Sequence, residues 1–101
     1  MTPSQNKSTT ESLVLYEETL RGNNASALSI KAYMSDLRQF VGWLQTRRVD
    51  WDNPYRIERF DIVGFINKLA AEKATAVTRR RKLAAILEFM KFCKDNPTTS
   101  L

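Results

Sequence analysis

Histidine is missing from all 101 residues of this chain. That removes the commonest general base and the commonest metal ligand. Cysteine occurs once, at Cys93, so no disulfide can staple the fold and no zinc site can be assembled. A reduced core thiol in a cytoplasmic setting is the expectation. Glycine and proline number three each, and their scarcity favours long helices over loops and turns. No segment alternates β-branched and polar residues, so no sheet is expected. Uninterrupted apolar runs are too short for a membrane span. The opening residues MTPSQNKS lack the apolar segment of a signal peptide, and residues 1–9 are expected to form a disordered tail.

Acidic chemistry is equally thin. Glu17 and Glu18 are adjacent and on a helix would point about 100° apart. Asp50 and Asp52 fall in a loop with no further ligands. Neither pair suits acid/base work or metal binding, and no glycine-rich phosphate loop is present. Tyr16, Tyr33 and Tyr55 lack a neighbouring base by spacing and read as packing residues. The chain is therefore expected to hold no catalytic residue, metal or cofactor.

What is there is a basic, amphipathic, helical chain. Its length allows one domain with one core. The net charge of +5 is unevenly spread. Residues 1–21 sum to −1, residues 22–57 to +2 and residues 58–73 to zero, while residues 74–101 carry six basic and two acidic groups, or +4. Hydrophobic spacing at i, i+3, i+4 and i+7 marks four helices. The first covers about 11–20, with Ser8 and Glu11 spaced as a capping box and Gly22 placed for a left-handed C-cap. The second covers about 27–46, capped by Ser26 or Asn24, with Ile30, Tyr33, Leu37, Phe40, Val41 and Leu44 inward. A loop follows over 47–57, in which Asn53-Pro54 breaks regular structure and Trp51 and Tyr55 fold over the core. The third helix covers about 59–72, with Ile62, Phe65, Ile66 and Leu69 inward and Gly64 at a close crossing. The fourth runs from Thr75 or Ala76 to Lys94, with Leu83, Ile86, Leu87, Phe89, Met90 and Cys93 inward, and Asp95-Asn96-Pro97 ends it. Short connections make this an all-α, compact four-helix bundle.

Two helices carry a basic stripe beside their apolar face. On the second, Lys31, Ser35, Arg38, Gly42 and Gln45 form a polar stripe without an acid, and Asp36 lies off it. On the fourth, Thr78, Arg81, Lys82 and Ala85 do the same, and the run Arg79-Arg80-Arg81-Lys82 places four cations at the helix start. Cations there oppose the helix dipole, which an anionic partner would relieve. Basic groups neutralise phosphates and small neighbours let a backbone approach. The same stripes could instead meet only water, and Trp43 and Trp51 read as packing before base stacking.

Two stretches carry a resemblance to a known family. SALSIKAYMSDLRQFVGWL, residues 26–44, resembles the first long helix of the core-binding (SAM-like) domain of tyrosine recombinases, the phage-integrase and Xer-type enzymes. The shared positions are Ser26, Tyr33, Asp36-Leu37, Phe40 and Trp43-Leu44. TRRRKLAAILEFMKF, residues 78–92, resembles a later helix through Thr78, Arg81-Lys82, Leu83, Ala84-Ala85-Ile86 and Phe89. The chain departs from the pattern at Ala27, Arg79 and Leu87, where proline, an aliphatic and a basic residue are common. The resemblance implies a core-binding domain over 10–96 and, at 97–101, the start of a linker to a catalytic domain. It implies double-stranded recombination-site DNA as partner, held through the second and fourth helices by Lys31, Arg38, Thr78, Arg81 and Lys82; Ser35 of the polar stripe and Arg79 of the cationic run, which lie beside them, complete the expected DNA-binding set. It further implies other protomers in a synaptic complex, with strand cleavage in the absent domain. The competing reading is a helical protein–protein interaction module whose basic face is incidental.

Overall fold

Each helix of this protein starts where a side chain can take over an unpaired backbone N–H. The computed structural model describes residues 8–95; of the tail expected over 1–9, residues 1–7 lie outside them, as do the Asn96-Pro97 stop and the linker at 97–101, while Ser8 caps the first helix and Thr9 opens it. Helix α1 spans Thr9–Gly22, α2 Ala27–Gln45, α3 Arg59–Ala71 and α4 Ala76–Asp95, with a single 3₁₀ turn at Pro54–Arg56. The chain is all-α, and no strand occurs among the described residues.

The capping box read from Ser8 and Glu11 is present: Ser8 Oγ accepts from Glu11 N at 3.0 Å and Glu11 Oε1 accepts from Ser8 N at 2.9 Å. Helix α1 begins two residues earlier than the apolar spacing suggests, because the loop before α3 holds its first turn. Thr9 N donates to Asp52 O at 2.7 Å, and the Thr10 amide and hydroxyl both donate to Asp52 Oδ1. Thr9 is fully buried there and Ser12 nearly so. At the other end Gly22 is not the left-handed cap. It closes the helix, and Asn24 takes the left-handed conformation with φ 63°, which asparagine tolerates better than most residues. Ser26 caps α2 by accepting from Ser29 N at 3.1 Å.

Helix α2 packs most extensively on α4, and α1 and α3 complete the bundle. Ile30, Met34, Leu37, Phe40, Leu44, Ile62, Phe65, Leu69, Ala85, Ile86, Phe89 and Cys93 make up the buried core. Phe40, Phe65 and Phe89 are its largest sealed side chains. Three inward assignments change. Tyr33 remains 39% exposed while Met34 takes the buried place; a phenol keeps its hydroxyl at the water boundary. Leu87 is 51% exposed, on the side of α4 where α3 leaves an open groove. Tyr55 faces solvent, so Trp51 and Ile57 pack down on the core from the loop instead. Gly64 does mark a close crossing: a Cβ there would stand 3.0 Å from the Trp43 ring, which itself stacks on Phe40 and packs at a tilt on Phe65.

The start of α3 is tied to the loop by charge. Asp61 is buried, and its Oδ2 accepts from Glu58 N and from Arg48 Nη1, both at 2.8 Å. Arg48 also donates to Asp50. That hydrogen bond, helped by the charges of Asp61 and Asp50, raises the Arg48 pKa above its ordinary value.

Candidate nucleic-acid interface

The contact between α2 and the first turns of α4 is where the basic residues collect. Thr75 caps α4, its Oγ1 accepting from Thr78 N at 3.1 Å and donating to Thr78 Oγ1 at 3.0 Å. This fixes the helix start, and the four following cations leave it in different directions.

Arg79 turns back and donates to Ala74 O at 2.7 Å. Arg80 is exposed and has no hydrogen-bond or ion-pair partner among the described residues. Arg81 and Lys82 converge on one carboxylate, Asp36 of α2. Arg81 Nε donates to Oδ2 and Nη2 to Oδ1, each at 3.1 Å, while Lys82 Nζ donates to Oδ1 at 2.7 Å and to Gln39 Oε1 at 2.8 Å. The carboxylate is 2% exposed, the Lys82 side chain 9% and the Arg81 side chain 52%. The hydrogen bond and charge of Asp36 raise the Arg81 pKa above its ordinary value, so the guanidinium keeps its proton.

Two sequence readings change here. Lys82 and Ala85 were expected on an exposed stripe, but both are buried. That side of α4 is the one pressed on α2, and a lysine can go there only because Asp36 and Gln39 satisfy its ammonium. Asp36, set aside as lying off the stripe of α2, is the residue that joins the two helices. A single buried acid at helical register with an apolar face was the available signal, since such an acid needs a cation from a neighbouring element.

On α2 itself Lys31, Ser35, Arg38, Gly42 and Gln45 are all exposed. Arg38 Nη2 lies 3.5 Å from Glu17 of α1. Residues two apart on a helix point about 160° away from each other, so Arg38 marks the α1 flank of this face and Asp36 the α4 flank. Lys31, seven residues before Arg38, shares its flank. Ser35 and Gly42 lie on the arc between, and Gln39, bonded to Lys82, links that arc to the α4 start. Lys31 and Arg38 therefore do not touch Arg81 and Lys82; they border the opposite edge of one solvent-facing surface. Trp43 serves packing, with the Arg47 guanidinium 4.6 Å from its ring centroid.

Comparison with known proteins decides the family. Residues 13–96 match the family described as "Phage integrase, N-terminal SAM-like domain". The chain belongs to that family. A curated relative of this phage-integrase domain is "Tyrosine recombinase XerD" of Bifidobacterium longum (strain NCC 2705), 30% identical over 83 residues. The match takes in 82% of the present chain and 26% of the relative, so the chain spans about a quarter of that protein's length. No solved structure matches the chain significantly. Among the described residues of this SAM-like domain, no helix is long and apolar enough to cross a membrane.

Proposed function

We propose that this domain grips double-stranded recombination-site DNA as the core-binding part of a site-specific tyrosine recombinase. The exposed face of α2 and the start of α4 lie along the phosphate backbone. Lys31, Ser35 and Arg38 serve from α2, and Thr78, Arg79 and Arg81 from α4, with Lys82 supporting from beneath. Strand cleavage and rejoining belong to a catalytic domain of the same longer protein, and other protomers join it in a synaptic complex.

The observation that carries the reading is the excess of positive charge at the α2–α4 contact. Two cations meet one carboxylate, and among the described residues Arg79 and Arg80 pair with no acid. Surplus cations on a helix N-terminus cost the free protein stability and favour a polyanion beside them. Titration of the 101-residue chain into a labelled duplex, read by fluorescence anisotropy, tests this. Binding at low salt with a dissociation constant of about 1–100 μM, falling steeply as salt rises, is expected. No binding at low salt rejects the reading.

One observation favours the second reading, a protein-interaction module. Between α3 and α4 runs an open groove of about 680 Å³, lined by Ile62, Val63, Leu83, Leu87 and Met90. If this face were the functional one, substitutions in the groove would alter assembly while duplex binding stayed absent at every salt concentration.

A further inference from the structure

The charge cluster at the α2–α4 contact holds one cation more than the fold requires. Neutralising buried Asp36 takes one positive group, and Lys82 supplies it from a nearly sealed position. Arg81 is the surplus. It is half exposed, and it lies flat against the same carboxylate through two bonds. A guanidinium has five N–H donors in a fixed plane. Asp36 takes two, which leaves three without a partner among the described residues on a side chain that is 52% exposed, and the cluster as a whole keeps one positive charge.

We propose that Asp36 is a positioning residue for DNA contact, acting through Arg81: it holds the guanidinium fork edge-on at the surface so that the remaining donors meet a phosphate without first being ordered. The inference rests on the DNA-binding reading above. Its physical basis is the loss of rotamer freedom that a long side chain otherwise suffers on binding, together with the geometric match between a fixed fork and a phosphate. Lys82 and Gln39 complete the arrangement by fixing the carboxylate that fixes the arginine.

The test turns on sign. Asp36→Asn adds a positive charge to the DNA face. If charge alone governed binding, this variant would bind duplex more tightly and with a steeper salt dependence. The positioning role predicts the reverse, binding weakened about three- to tenfold with a shallower slope, because preorganisation is lost. Anisotropy titrations over a salt series, with thermal melts confirming the fold at the working temperature, read both quantities. The variant Asp36→Asn/Arg81→Ala is expected to bind no more weakly than Arg81→Ala alone, since Asp36 acts through that side chain; a purely structural acid would add its own loss. Should Asp36→Asn not fold, Arg81→Lys decides: charge is kept, the fork is lost, and wild-type affinity would overturn the proposal. Wild-type protein that ignores duplex at low salt sinks the DNA reading itself. A wild type that binds, beside an Asp36→Asn that binds more tightly, sinks only the positioning role.

Discussion

Arg81 and Lys82 are neighbours in sequence with the same formal charge, yet the structure gives them different work. Arg81→Ala removes a half-exposed cation and is expected to lower the salt slope of duplex binding by about one unit while barely changing the melt. Lys82→Ala removes a buried ammonium from Asp36 and Gln39 and is expected to show first in the melt, as a clear loss of stability, because the buried carboxylate loses its nearly sealed partner and keeps only the half-exposed one. Paired salt-titration and melting curves separate the two. Cys93 offers a pH test. Burial pushes its thiol up to about 11 from 9.0, only partly offset by a hydrogen bond from Ser12. A raised acid binds its proton more tightly folded than unfolded, so this stabilisation is full below pH 9 and lost as pH rises towards 11. Tyr16 is also raised above 10.0, chiefly by burial, and acts in the same direction. Urea unfolding from pH 8 to 11 should show stability falling, and Cys93→Ala should flatten the part between 9 and 11.

Within the elements, burial decides which apolar positions matter. Leu37 and Phe89 are fully sealed, whereas Leu87 is half exposed. Leu37→Ala is expected to cost about 2–5 kcal/mol and Phe89→Ala about 3–5 kcal/mol in denaturant unfolding. Leu87→Ala should cost well under either, and a large loss there would mean the groove between α3 and α4 is closed in solution. Gly42 has open space where a Cβ would sit and lies in the last turn of α2, on its exposed face. Gly42→Ala should therefore stabilise by about 0.5–1 kcal/mol through helix propensity and lost unfolded-state entropy. On the proposed reading the same methyl hinders the approach of a phosphate backbone, so a higher melting temperature should come with weaker duplex binding.

At the scale of the molecule, α2 is the hub. It is ion-paired to α4 on one flank through Asp36 and to α1 on the other through Arg38, and packs its Trp43 against Phe65 of α3. On the DNA-binding reading, a surface built on a helix anchored on both flanks would hold its contacts in place against a long anionic rod. The helix count, the capping residues Ser8 and Ser26, the inward positions of α3 and all but Tyr33 of those on α2 were legible because they rest on local period and local hydrogen bonding. The segments resembling recombinases were legible for the same reason: Tyr33, Asp36-Leu37 and Phe40 recur at helical spacing. The exposed face of α2 could also be read, since no acid interrupts it.

On α4 the centre of the inner side, Ile86, Phe89 and Cys93, was legible too, but its edges could not be read this way. Its sequence offers apolar and small basic residues around most of the helix, and period alone cannot say which arc a neighbouring helix will cover. By itself, then, the chain determined that it forms four amphipathic helices with cations gathered at the last one's start, because those properties depend on residues a few positions apart. Only the tertiary structure decided that Lys82 goes inside, that Leu87 stays out, and that Asp36, 45 residues before Arg81, orients it. A buried carboxylate selects its partners by proximity in space, and that proximity exists only once α2 and α4 have packed together.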